Sequence, residues 1–143
     1  MGDPETEVVL LRLKNDLVKL LIATEKQELH KEEIVINEKS AATIVAVSAG
    51  YPGDYKKGLT IDFGYLKNTG VTKAIDLDGG VIVFHAGTRQ ESEHVVTNGG
   101  RVLAVSSLAN SLPEAIELSK EILHQIHFEG MYYRKDIGYE FIK

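Results

Sequence analysis

No cysteine occurs among the 143 residues, which excludes a disulfide framework and thiolate-held metals and fits a reducing cytoplasm. Proline is scarce at 3 residues, and with 43% hydrophobic and 26% charged positions the composition is that of an ordinary globular domain and not of a disordered tail. No apolar run approaches the ~20 residues that a membrane-crossing helix needs. A basic excess is missing as well. The net charge of -5 leaves only local positive spots, Lys56-Lys57 and Arg134-Lys135, which argues against duplex nucleic acid as a partner. The front of the chain lacks the basic segment of a signal peptide, since Asp3, Glu5 and Glu7 occupy its place. These absences together lead us to expect a cytoplasmic protein with neither membrane nor nucleic acid as partner.

What is present is enough sequence for one domain with its own core, because a chain of this size buries roughly two-thirds of its unfolded surface. Asp3 followed by Pro4 predicts a helix start, with Asp3 as N-cap and Glu5 and Glu7 at the positive end of the dipole. Val9, Leu10, Leu13, Leu17, Leu20 and Leu21 recur at helical spacing and predict one amphipathic helix with that stripe packed on the body. The period then changes. Ile34-Val35-Ile36, Ala42 to Val47 and Val81 to Phe84 are short β-branched runs bounded by turn residues, and they read as strands. Val95-Val96 and Val102 to Val105 flank Asn98-Gly99, the strongest short hairpin signal, and predict an antiparallel pair. A second helix starts at Ser111, with Pro113 near its beginning and Glu114 at capping-box spacing, and buries Ala115, Leu118, Ile122 and Ile126. The aromatic end, Gly130 to Lys143, reads as a strand or an extended tail with most of Tyr132, Tyr133, Tyr139 and Phe141 packed. Two helical segments among about seven short strands give an α+β fold: a mainly antiparallel sheet or partial barrel with an N-terminal helix and one later helix on it.

Several residues carry a chemical reading beside a plainer one. Gly50-Tyr51-Pro52-Gly53 follows an apolar strand, so its glycines either let backbone approach a ligand, with Lys56 and Lys57 nearby, or simply make a tight turn. It is no Walker loop, for no Gly-Lys-Ser/Thr ends it. Asn98-Gly99-Gly100-Arg101 offers backbone N–H groups and a guanidinium suited to a phosphate, or else an ordinary hairpin turn. His85 closes a strand and reads as a structural histidine, there being no adjacent carboxylate to orient it. His124 and His127 have the spacing of two metal ligands, but no third is evident, and we expect no metal site.

Five blocks, in order, carry a resemblance over nearly the whole chain: Gly2 to Glu7, Ser48 to Gly53, Phe84 to Thr88, Thr97 to Arg101 and His127 to Gly138. Together they resemble the C-terminal end of the phosphoribosylamine-glycine ligase family, ATP-grasp enzymes of purine synthesis. The resemblance implies that residues 1–28 are a helical tail of the ATP-grasp body and 29–143 the C-terminal domain. It implies an ATP-driven amide formation between glycine and 5-phosphoribosylamine in the whole ligase, with ATP and magnesium (or manganese) held upstream and no cofactor in this segment. The partners implied are the remaining N-terminal and ATP-grasp domains. Gly50, Tyr51, Pro52, Gly53, Asn98, Gly99, Gly100 and Arg101 become candidate substrate contacts, with no catalytic residue and no catalysis expected from this segment alone. Two other readings stay open: a purely structural inter-domain module, and a free-standing domain that binds a phosphate ligand. Glu7, Leu11, Ala49 and Ala104 depart from the family's usual Gln, Pro, Gly and Gly.

Overall fold

The central element is the most buried strand, β5 (Arg101–Ala109), in which only Arg101 is not buried. Such a run of Val, Leu and Ala with two serines can be buried on both faces only if covered on both. Its edges are paired on both sides. In the computed structural model, which describes residues 2–64, 66 and 80–141, β5 lies between β1 (Ser40–Val47) and β2 (Gly80–His85), antiparallel to each. Val105 stands opposite Ile44 on one side and Val83 on the other. A separate two-stranded ribbon pairs β3 (Thr88–Glu91) with β4 (His94–Thr97). The sheet does not close into a barrel among the described residues, so of the two expected forms the open antiparallel sheet is the one observed.

The late helix, α3 (Leu112–Leu123), starts where expected, with Ser111 accepting a hydrogen bond from the Glu114 N–H. Its buried face is Ala115, Ile116, Ser119 and Leu123, one step round from the expected stripe, and Ile126 follows into the core beyond the helix end. The two buried serines of β5 are satisfied. Ser107 donates to the Ala115 carbonyl and receives Ser119 at 2.9 Å, while Ser106 pairs with Thr43 at 2.8 Å. Ile44, Val83, Leu103, Leu123, Ile126 and Phe128 form the centre of the core.

Four sequence expectations are corrected. The single N-terminal helix is two, α1 (Thr6–Arg12) and α2 (Leu17–Glu25), and Asp3 does not cap the first; Glu5 holds that position without a side-chain bond. The break is made by distant partners. Asn15 donates to the Glu33 carbonyl and accepts from the Val35 N–H, Lys14 N–H reaches the Val35 carbonyl, and Asp16 then caps α2 through the Val18 and Lys19 N–H groups. The apolar stripe is split accordingly, with Leu20 buried but Val9 and Leu21 more than half exposed. Secondly, Ile34-Val35-Ile36 is no strand, because its backbone is spent on that corner and on one bridge, Leu13 to Ile36. The expected hairpin is absent too: β4 and β5 flank Asn98-Gly99 yet belong to different sheets. Lastly, the C-terminal tail forms no strand among the described residues beyond a bridge between Val47 and Tyr132, and although Tyr133 packs against the core with Met131 and Ile137, Tyr132, Tyr139 and Phe141 are exposed where packing was expected.

Candidate functional site

The loop leaving β1 is a tight turn in its own right. Tyr51 N–H reaches the Ser48 carbonyl at 3.1 Å, Gly53 N–H reaches Gly50 at 2.7 Å, and Gly50 takes φ +93°, where a Cβ would run into the Asp54 carbonyl. The loop then meets the second candidate segment. Ser48 donates its N–H to Gly100 at 2.8 Å and its hydroxyl to Gly99 at 3.1 Å, and the Tyr51 ring lies so close over Gly100 that no side chain fits there. Pro52 completes the turn and Gly53 faces Gly50.

The Asn98–Arg101 segment is not the open amide nest that the sequence offers. Both the Asn98 and the Gly99 N–H point at the Gly87 carbonyl, at 2.7 and 3.1 Å, and Gly87 N–H returns to Arg101 at 2.8 Å. Neither Asn98 nor Gly99 has the positive φ of a type I′ turn. Two backbones approach here as only glycines allow: a Cβ on Gly87 would lie 2.6 Å from Gly99 Cα. Gly130 is likewise pressed on Ala49.

Arg101 is already committed. Its two terminal nitrogens fork onto the two carboxylate oxygens of Asp3, 98 residues away, with Nη2 to Oδ2 at 2.9 Å. That bidentate pair holds Asp3 below the ordinary carboxylate range and raises Arg101 in turn. All five sequence blocks therefore meet at one end of the sheet. Four of them, all but Phe84 to Thr88, contribute residues to a cleft of about 660 Å³ between the Asp3–Val8 segment, the outer part of β1, Tyr51, Arg101 and the Tyr132–Arg134 stretch. A second hollow of about 550 Å³ lies across the Gly50 loop, with Lys56 and Glu129 3.9 Å apart at its rim.

Of the residues lining the cleft only Tyr51 and Arg101 belong to the candidate set, and Glu7 and Tyr132 are among those outside it. Glu7 lines the cleft, and burial raises its pKa, offset in part by Arg101 and reinforced by Asp3. No local pattern marks either residue, because their placement depends on the pairing of Asp3 with Arg101 and of Tyr132 with Val47. Arg134 at the rim is forked onto Asp136 at 3.0 Å. His85 sits against Phe63 and hydrogen-bonds Thr88 at 3.1 Å, and partial burial lowers its pKa, as suits a structural histidine. The His124 ring lies tilted against Tyr133 at 6.4 Å between centroids, while the His127 backbone pairs with Asp62.

An open antiparallel sheet with one covering helix, whose cleft is walled partly by the segment preceding the sheet, defines an α+β domain. The particular family follows from comparison: residues 41–140 match the family described as "Phosphoribosylglycinamide synthetase, C domain", and the chain belongs to it. It is 44% identical over 138 residues to the phosphoribosylamine-glycine ligase of Chlorobaculum tepidum, covering 96% of this chain and 31% of that protein. The bifunctional purine biosynthetic protein ADE1 of Schizosaccharomyces pombe is 42% identical, again over 96% of this chain but 16% of that protein. Among solved structures, the phosphoribosylamine-glycine ligase of Thermotoga maritima superposes with a TM-score of 0.66 at 27% identity, covering 95% of this chain and 31% of that one. The chain thus spans about a third or less of the relatives it matches.

Proposed function

We propose that this chain is the C-terminal part of a cytoplasmic ligase that joins glycine to 5-phosphoribosylamine with ATP hydrolysis, giving glycinamide ribonucleotide, ADP and phosphate. The reading rests on family membership, and its role for this segment rests on one observation: four of the five blocks line a single cleft, and the fifth, through Gly87, backs Gly99. Residues 1–28 belong, in this proposal, to the ATP-grasp body, and the rest forms the C-terminal domain. Support comes from α2, where Val18, Leu21 and Ile22 share an exposed apolar stripe, and from the family match beginning only at residue 41. Upstream domains of the same polypeptide supply the ATP and magnesium sites. Among the described residues no three His, Cys, Asp or Glu side chains converge to hold a metal. No described helix is long and apolar enough to cross a membrane.

Within this reading the Gly50–Gly53 turn and the Asn98–Arg101 segment wall the phosphoribosylamine pocket, with Tyr51 and Arg101 as the side chains and Gly99 and Gly100 as the close backbone. Arg101→Ala and Tyr51→Ala in the intact ligase are expected to raise the KM for phosphoribosylamine about tenfold, the cost of one good charged or aromatic contact. KM values that stay put in both variants defeat the substrate-facing role. A bracing role is then left, and one observation favours it from the start: the Arg101 fork and the two turn amides already have partners within the protein.

A further inference from the structure

The cleft contains one polar group that the fold leaves unsatisfied. Glu7 Oε2 is shut off from solvent and has no hydrogen-bond partner among the described residues. Buried polar atoms are almost always paired, so an orphan in the wall of a cleft marks a place for a group the protein does not itself supply. The two guanidiniums nearest at hand are not free to serve it: Arg101 is forked onto Asp3 and Arg134 onto Asp136. Ile44 and Val45 of β1 give the cleft an apolar side, and the Tyr51 and Tyr132 rings give it aromatic edges.

Such a wall recognises a compact body with a flat apolar face and a hydrogen-bond donor at its edge. The volume of about 660 Å³ lies in the usual range for small-molecule sites. Two donors are chemically available, an ammonium or a hydroxyl. Burial raises the Glu7 pKa and the nearby Arg101 charge offsets part of that, so a neutral hydroxyl can supply the hydrogen bond that Oε2 lacks without a further counter-ion.

We propose that Glu7 is a specificity residue of this cleft, its Oε2 accepting a hydrogen bond from a ring hydroxyl of the sugar phosphate bound there. This rests on the ligase reading and deepens it, by assigning the sugar hydroxyls to the N-terminal wall. It also predicts a conflict between stability and binding. Removing the carboxyl relieves the fold of an unpaired, desolvated group and deprives the ligand of its acceptor.

The test uses Glu7→Leu, Glu7→Gln and Tyr51→Ala in the intact ligase, with KM measured for phosphoribosylamine, glycine and ATP, and the melting temperature of the 143-residue chain measured for each. Glu7→Leu is expected to raise the KM for phosphoribosylamine about tenfold while raising the melting temperature, and to leave the KM for glycine and ATP within about twofold. Glu7→Gln keeps an acceptor oxygen and is expected to recover most of that loss. If Tyr51→Ala raises the KM but Glu7→Leu does not, the Glu7 assignment falls and the cleft remains the sugar site. Should neither change move it, the cleft reading falls as well. Equal losses in the Leu and Gln variants overturn the hydroxyl assignment in favour of a charge requirement, and a lowered melting temperature with all three KM values disturbed makes Glu7 structural.

Discussion

Glu7 and Asp3 sit four residues apart and respond to the fold in opposite directions. Asp3, exposed and forked by Arg101, is held low; its contribution is present above its unfolded pKa and disappears as pH falls through the folded one. Glu7, raised by burial, binds a proton more readily folded than unfolded, so its contribution is fully present below its unfolded pKa and is lost as pH rises through the folded value. Glu7→Leu should therefore stabilise the chain at pH 7 by about 1 kcal/mol, or roughly 3 °C, and the gain should shrink toward pH 4; thermal melts at both pH values check this. Gly87 makes the opposite case. A methyl group there meets the Arg101 carbonyl and the Gly99 Cα, backbone that cannot swing aside, so Gly87→Ala is expected to cost about 2 to 3 kcal/mol in urea unfolding.

At the level of elements, local signals succeed where the element is locally determined. The capped start of α3 and the β-branched runs of β1, β2 and β5 were legible because a cap and an alternating or buried run state their own structure. The break between α1 and α2 was not. Leu10, Leu13 and Leu17 keep helical spacing straight through it, and what ends the helix is Asn15 bonding residues 18 and 20 positions away. Asn98-Gly99 failed for a related reason: the carbonyl of Gly87 captures both amides, and that tertiary bond outweighs a local turn preference. The candidate loops were legible as loops, whereas the Asp3 to Arg101 fork that draws the N-terminal turn to them lies beyond any sequence pattern. Asn15→Ala should cost about 1 to 2 kcal/mol, since it leaves the Val35 N–H and Glu33 carbonyl without their partner; urea melts with α2 amide exchange as a local probe would register the loss at that corner.

The whole molecule has an unfinished side. Val18, Leu21 and Ile22 on α2 are exposed, as are Ile34 and Ile36 beside the corner it packs on, and an apolar surface of this kind on an isolated chain favours self-association. Sedimentation velocity should show a mass that rises with concentration, and Leu21→Glu should return it to the monomer. If the ligase reading holds, this chain alone, supplied with ATP, glycine and phosphoribosylamine, is expected to form no glycinamide ribonucleotide in a coupled assay. The two partners of the cleft's ion pair stand on backbone of very different burial. Arg101 is the first residue of β5, which is paired along both edges and buried from Val102 to Ala109, so its amides should be the last to exchange with deuterium. Asp3, its partner, stands on an exposed turn ahead of a seven-residue helix. The guanidinium is thus a fixed post and the acidic turn the exposed side of the pair, so loss of the fork would be read first in faster exchange of the amides of Asp3 and residues 5 to 7.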